Sequence, residues 1–115
     1  MEILNCLKQF SIVKSFEVLD FRTFQNGFYM KVKVILEDNS ELYIREYVDE
    51  EERNYSYHWQ SRDEKLIIRW DNAPYHKNIR TYPHHKHIND KVEESFETTC
   101  ERILTVISEF LRKRN

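Results

Sequence analysis

The stretch SFEVLDFRTFQNGFYMKVKVILEDNSELYIREYV, residues 15–48, decides the fold of this 115-residue chain. Valine, isoleucine, phenylalanine and tyrosine dominate it, and these β-branched and aromatic side chains favour extended backbone. Asn26-Gly27 divides the stretch with the strongest two-residue signal for a β-hairpin. A second turn is indicated at residues 38–40, DNS. The stretch is therefore predicted to form three strands.

Two further segments alternate between apolar and polar side chains. NYSYHWQ, residues 54–60, places its two tyrosines and its tryptophan on one face and serine, histidine and glutamine on the other. KLIIRWDN, residues 65–72, has the same period of two, which is typical of a half-buried strand. Because the connections are short, neighbouring strands should run antiparallel, and we predict a meander of five strands.

Both ends of the chain are predicted to be helical. Residues 2–10 carry their apolar side chains on one side. Asn89 or Asp90 is a candidate cap for a second helix of about 24 residues, near 36 Å long, because Glu93 follows Asp90 at the capping-box spacing. The apolar stripe of this helix comprises Val92, Phe96, Cys100, Ile103, Ile107 and Phe110, widened by Leu104 and Leu111.

The predicted fold is α+β. An antiparallel meander sheet of about five strands carries a short N-terminal helix, and a long C-terminal helix packs on one face of the sheet. At 115 residues the chain is expected to form a single domain, residues 1–115.

Composition narrows the classes of function. The formal net charge of −2 does not predict a strongly basic nucleic-acid-binding surface, so any such role needs a local patch. The N-terminus MEILNCLKQF lacks a long apolar core, and we expect neither a signal peptide nor a membrane span and hence a cytoplasmic protein. Cys6 and Cys100 form no C-x-x-C pair and are expected to be reduced.

The chemistry is concentrated in RWDNAPYHKNIRTYPHHKH, residues 69–87, which holds four of the five histidines and both prolines. If the segments 54–60 and 65–72 pair, their polar side chains share the sheet face opposite the helix, and the histidine loop folds over that face. Imidazole gives and takes protons near neutral pH. One imidazole can take the 2′-hydroxyl proton of RNA and another can protonate the leaving 5′-oxygen, while Arg or Lys stabilises the charge on phosphorus.

The residue types therefore predict metal-independent cleavage of RNA, with the catalytic side chains converging on one concave face. The predicted catalytic residues are His58, Arg69, Asp71, His76, His84 and His87. The predicted substrate-binding residues are Arg45, Tyr57, Tyr75 and Lys86. Asp71 is expected to orient an imidazole, and this reaction needs no metal and no cofactor.

Two alternatives remain open at this point. His85 and His87 would face the same way in an extended chain, and with Asp71 they could form a two-histidine, one-carboxylate site of a metal-dependent enzyme. The segment from Asp71 to Pro74 also resembles an ordinary turn. The chain could instead be a non-catalytic α+β module whose aromatic and acidic surfaces bind a partner protein. Exposed strand edges and surface tyrosines favour a two-fold homodimer.

The blocks YSYHWQ, RWDNAPYH and TYPHHKH, followed by an amphipathic helix, resemble the TumE-like family of prokaryotic toxin–antitoxin proteins over about residues 43–111. The resemblance implies the toxin of a type II pair, encoded beside a helix-turn-helix antitoxin, and leaves the reaction open. The residues to which the family pattern points are Tyr55, Tyr57, Arg69, Asp71, Asn72, His76, Pro83, His84 and His87. The chain departs from the pattern at Tyr75, where histidine is common.

Overall fold

A computed structural model describes residues 2–113; Met1, Arg114 and Asn115 of the predicted single domain lie outside this range. Within residues 2–113 the chain forms two helices and seven strands. In chain order the elements are α1 (Glu2–Gln9), β1 (Val13–Phe24), β2 (Gly27–Leu36), β3 (Glu41–Val48), β4 (Arg53–Gln60), β5 (Leu66–Asp71), β6 (His85–Ile88), β7 (Lys91–Glu94) and α2 (Cys100–Lys113).

The predicted α+β meander is confirmed, with two strands more than the five expected. All strands belong to one sheet, their order follows the chain from β1 to β7, and each neighbouring pair is antiparallel. The additional strands, β6 and β7, come from the end of the histidine-rich segment and from the start of the predicted C-terminal helix. Neither described helix has the length and apolar character needed to cross a lipid bilayer.

One face of the sheet forms the hydrophobic core with the two helices. Alternate residues of β2, β3, β4 and β5 are buried there, together with one face of α2 and part of α1. The tyrosines and the tryptophan of β4 face this core, as their alternation predicts. The largest core side chains from the strands are Met30, Leu36, Leu42, Ile44, Tyr57, Trp59, Ile68 and Trp70. The opposite, polar face of the sheet is left for a functional site.

The first hairpin turns one residue earlier than predicted. β1 ends at Phe24 and β2 begins at Gly27, so the turn residues are Gln25 and Asn26, and Asn26 has φ 70°. Asparagine tolerates this left-handed conformation. Gly27 is needed for a different reason, because a Cβ atom at this position would collide with the carbonyl oxygen of Val48. The second predicted turn is confirmed, and residue 39 in it has φ 67°.

The prediction that Asn89 or Asp90 caps the second helix is wrong. These two residues have φ 52° and 62° and form the tight turn between β6 and β7. Asparagine and aspartate suit a turn with two positive φ angles as well as they suit a helix cap, so the sequence pattern is ambiguous there. The helix begins at Cys100, and Thr99 caps it by accepting the Arg102 backbone N–H at 3.3 Å through Oγ1.

The apolar stripe of α2 is shorter than predicted, because the helix begins at Cys100. Its buried members all lie within α2: Cys100, Ile103, Leu104, Ile107 and Leu111. Phe110 stands edge-on to Trp59, with ring centroids 5.7 Å apart. Val92 belongs to β7, and Phe96 precedes the helix with 59% of its surface exposed. The prediction that Phe96 is a core residue is therefore wrong.

Candidate functional site

The register of β4, β5 and β6 assembles the candidate site on the polar face of the sheet. In each of these strands, two residues that are two positions apart point to this face. The register places these residues directly opposite one another across the three strands. The two resulting rows are Ser56, Asp71 and His85 in one, and His58, Arg69 and His87 in the other.

Asp71 lies at the centre of the site and is buried. Its Oδ2 accepts a hydrogen bond of 3.2 Å from Nε of Arg69, and its Oδ1 accepts one of 3.0 Å from the backbone N–H of Ala73. Nε2 of His85 lies 2.9 Å from Oδ1, and Nε2 of His87 lies 3.7 Å from Oδ2. This one carboxylate therefore positions a guanidinium and the His85 imidazole, and it lies beside the His87 ring.

Arg69 connects Asp71 to His58. Its Nη1 donates to Nδ1 of His58 at 3.1 Å, and because a guanidinium has no acceptor, that Nδ1 carries no proton. Burial and, to a lesser extent, the charge of Arg69 lower the pKa of His58. The Arg69 side chain is 37% exposed, so part of its guanidinium remains accessible from the polar face.

Three histidines pack together beside Asp71. Ring centroids are 5.0 Å apart for His85 and His87, and His76, from the loop between β5 and β6, lies 4.6 Å and 5.8 Å from them. One nitrogen of each ring lies within 4.8 Å of the others. Nδ1 of the buried His85 lies 3.0 Å from the Pro83 carbonyl oxygen, which only accepts, so this nitrogen holds a proton. Burial is the main cause that lowers the pKa of His87.

The structure places His84 apart from these residues. Its Nδ1 lies 2.8 Å from the hydroxyl of Tyr55, and the two rings stack with centroids 5.8 Å apart. Tyr55 belongs to the core face of β4, and burial raises its pKa to about 12. Burial and the charge of Arg53 lower the pKa of His84. The predicted convergence on one face thus includes His58, Arg69, Asp71, His76 and His87 but not His84.

Two predicted substrate-binding residues, Tyr57 and Lys86, lie on the core face of the sheet and not on its polar face. Tyr57 is fully buried and donates a hydrogen bond of 2.5 Å to Glu46. Lys86 alternates with His85 and His87 along β6, and its Nζ binds Glu97 at 3.1 Å. The alternation of a strand sends these side chains to the helix side.

The other two predicted substrate-binding residues are accessible. Tyr75 is 80% exposed and precedes His76 in the loop. Arg45 is exposed on the polar face of β3, opposite Ser56. His85 is absent from the predicted catalytic set, although the metal alternative names it. The signal that identifies it is the spacing of two residues in His85-Lys86-His87, which puts both imidazoles on one face of a strand.

Two hollows in the polar face meet at Arg45, Ser56 and Arg69, which line both of them. The larger hollow has a volume of about 480 Å³ and extends to Asp71. The smaller hollow has a volume of about 270 Å³ and extends to His58. The further lining residues of the larger hollow include Tyr29, Tyr47 and Asn72, and those of the smaller include Lys31, Tyr43 and His58.

Cations border these hollows. Lys31 and Arg45 are direct cross-strand neighbours on β2 and β3, and both are exposed. Neither makes an ion pair with any residue that the structure describes, whereas the nearby Lys33 is paired with Glu41 at 3.3 Å. Two unpaired positive charges therefore lie next to the Arg69 guanidinium, and such a surface attracts anions.

The chain matches a known protein family over most of its length. The model of a family described as "Toxin TumE" matches residues 3–114. No curated protein and no solved structure matches the chain. The family match spans nearly the whole chain, including all of α1 after its first residue, the sheet, α2 and every residue of the site.

Proposed function

Because the chain belongs to the Toxin TumE family, we propose that it is the toxin of a type II toxin–antitoxin pair and that it arrests growth by cleaving RNA. The observation that carries the proposal is the line of contacts from His58 through Arg69 to Asp71 and His85 on the polar face. A buried carboxylate that holds a cation and imidazoles in place is an arrangement suited to phosphodiester chemistry.

The proposed reaction is metal-independent transfer of two protons, and the contacts single out the histidines for it. Nδ1 of His58 is engaged by Arg69, and that of His84 by Tyr55. Both nitrogens of His85 face acceptors, the Pro83 carbonyl and Asp71. His76 and His87 form the remaining pair, with ring centroids 5.8 Å apart. In the proposal His87 takes the proton of the 2′-hydroxyl, the alkoxide attacks phosphorus, and His76 protonates the leaving 5′-oxygen. The products are a 2′,3′-cyclic phosphate and a free 5′-hydroxyl.

Arg69 is proposed to stabilise the negative charge that develops on the phosphoryl oxygens. Its Nε and Nη1 are held by Asp71 and His58, so the guanidinium of this residue, which lines both hollows, is preorganised. Asp71 and His58 are positioning residues in this scheme. Loss of one such charge-stabilising donor typically costs about 10²–10³ in rate.

RNA is the proposed substrate because the site lies on a surface suited to a single strand. Lys31 and Arg45 supply unpaired positive charge along the row that leads to Asp71. Tyr29 and Tyr43 line the two hollows on either side of Arg69, and half-buried aromatic rings on a sheet can stack unpaired bases. The 2′-hydroxyl that the proposed chemistry uses is absent from DNA.

The proposed partner is a helix-turn-helix antitoxin that is encoded beside the toxin. The toxin family implies an antitoxin; its type is part of the proposal. An antitoxin that covers the polar face would block the hollows and neutralise Lys31 and Arg45, for which an acidic segment is the complementary partner.

Expression of the chain without antitoxin tests the proposal. The wild type should stop growth and fragment cellular RNA, and co-expression of the neighbouring antitoxin should restore growth. Arg69→Ala, Asp71→Asn and His87→Ala should each lose toxicity while circular dichroism shows a retained fold. Arg22→Ala is a matched control, because Arg22 is 73% exposed on β1 and forms only a surface ion pair with Asp20.

The possible outcomes separate the alternatives. Full toxicity in all three folded site variants would leave the non-catalytic interaction module as the better explanation. Toxicity that is lost in the variants while RNA stays intact in wild-type cells would keep the site and remove ribonuclease as its chemistry. Purified wild type that yields a 2′,3′-cyclic phosphate in the presence of EDTA supports the metal-independent reaction directly.

A further inference from the structure

Beyond the proposed ribonuclease, we propose that His76, His85 and His87 bind one divalent transition-metal ion of the Zn²⁺ class. The primary observation is that one nitrogen of each imidazole lies within 4.8 Å of the other two. Two of these histidines are held by the register of β5 and β6, and the third comes from the loop that connects those strands. Imidazole is the most common protein ligand for such ions.

The distances are close to those of a bound ion. Three nitrogens at most 4.8 Å apart are each within about 2.8 Å of their common centre, and a Zn–N bond measures about 2.0–2.1 Å. Each ring therefore needs to move inward by less than about 0.8 Å, which small side-chain rotations can supply.

His85 is already arranged as metal-binding histidines usually are. Its Nδ1 donates to the Pro83 carbonyl at 3.0 Å, which fixes the ring and leaves Nε2 as the nitrogen for a ligand. Nε2 lies 2.9 Å from Oδ1 of Asp71, which only accepts, so a bound ion would take the place of the proton that Nε2 donates to this carboxylate. The ring is 2% exposed, so an ion bound to it is shielded from bulk water on that side.

Asp71 supplies the negative charge that a dication needs. Its carboxylate is buried, and its two oxygens lie 2.9 Å from His85 and 3.7 Å from His87. It would act as a neighbouring counter-charge, while Arg69 and Ala73 keep it in place. Three imidazoles with one carboxylate favour Zn²⁺, Co²⁺ or Ni²⁺ over Mg²⁺ and Ca²⁺, which prefer oxygen ligands.

Metal binding would have a consequence for the proposed reaction, and only this consequence rests on the proposed function. A bound ion uses the nitrogen lone pairs of His76 and His87 that the two proton transfers require. Zn²⁺ should therefore inhibit metal-independent RNA cleavage, and a chelator should restore it. The site itself is independent of whether the protein cleaves RNA.

Equilibrium dialysis against Zn²⁺ tests the site. The protein should carry no histidine tag and should first be stripped of metal with EDTA. The wild type should bind one Zn²⁺ per chain, and its melting temperature should rise with Zn²⁺ but not with Mg²⁺. His76→Ala and His87→Ala, both of half-buried residues, should reduce the bound Zn²⁺ to near zero at the same free concentration. His84→Ala is the matched control, because it removes a histidine outside the cluster and should keep one ion.

Wild-type protein that binds no stoichiometric Zn²⁺ would overturn the site. Equal loss of Zn²⁺ from the cluster variants and the control would also overturn it, because it would indicate only diffuse binding to histidines. RNA cleavage in the same samples separates this inference from the proposed function. Cleavage that Zn²⁺ suppresses and EDTA restores supports both. Stoichiometric binding with cleavage that requires Zn²⁺ supports the metal site and overturns the metal-independent mechanism.

Discussion

His58 contributes to the site through its hydrogen bond with Arg69. Its Nδ1 accepts a hydrogen bond from Arg69, and a protonated ring would lose this bond and place two cations in contact. Burial adds to this effect, and together the two lower the pKa of His58 below its ordinary value of 6.5. The neutral ring therefore helps to hold the Arg69 guanidinium against Asp71.

This contact predicts a pH dependence of stability. In the unfolded chain His58 takes up a proton near its ordinary pKa of 6.5, whereas in the folded chain the lowered pKa delays protonation. The unfolded state binds more protons in this window, so the contribution of His58 to the free energy of unfolding is complete above pH 6.5 and falls as the pH decreases below it. Gln in place of His58 keeps a hydrogen-bond acceptor but does not titrate.

Urea unfolding measures this pH dependence. The wild type and His58→Gln are unfolded at pH 7.5, 6.5 and 5.5 in the presence of EDTA. The free energy of unfolding of the wild type should decrease more steeply on acidification than that of the variant. Contributions from groups outside this network are the same in both proteins and cancel in the difference. A difference between the two proteins that does not change with pH would show that this contact does not control the protonation of His58.

Helix α2 derives its stability from packing on the sheet. Its 14 residues form about four turns, roughly 21 Å long, and an isolated helix of this length is marginal in water. Ile103, Leu104 and Ile107 are fully buried against the strands. The buried stripe of α2 begins at Cys100, directly after the Thr99 cap. The helix and its buried face therefore start at the same point.

Two alanine substitutions test where this helix begins. Ile107→Ala removes a fully buried side chain of α2 and should lower the free energy of unfolding by about 2–5 kcal/mol. Phe96→Ala removes a side chain that is 59% exposed and precedes the helix, and it should change this free energy by no more than about 0.5 kcal/mol. Both values come from urea unfolding at one pH. Comparable losses in the two variants would mean that Phe96 packs in the core, as a longer helix requires.

At the scale of the whole molecule, the sheet leaves β1 and β7 as its edges. β1 is 12 residues long, and within residues 2–113 it pairs only with β2. Its exposed apolar side chains are Val18, Leu19, Phe21 and Phe24. A long edge strand with exposed apolar residues is a template for another chain. The homodimer expected from the sequence remains a proposal, and β1 is the edge we propose for it.

Light scattering tests the proposed dimer. The wild type should scatter with twice the chain mass of 14.2 kDa at high concentration. A Leu19→Lys and Phe21→Lys double variant should be monomeric, because like charges placed on both copies of the edge repel. Leu66→Lys is a matched control, since Leu66 is 47% exposed but lies on β5, inside the sheet. A wild type that is monomeric over the whole concentration range would exclude this dimer.

The sequence by itself determined the strands β1 to β5, their antiparallel order, both helices as elements, and the face of β4 that enters the core. These features follow from alternation, turn residues and helical spacing, all of which act over a few residues. The same local signals could not separate a cap from a turn at Asn89-Asp90, because both residue types suit either structure.

Only the tertiary structure decided which polar residues form the site. Asp71 meets His85, and Arg69 meets His87, through the register of β5 with β6, across a loop of more than ten residues that the sequence pattern does not place. A shift of one residue in that register would send both imidazoles to the core and bring Lys86 to the polar face. Register depends on packing across the sheet, so residue types alone selected His84 and Lys86, whereas the folded chain selects His85.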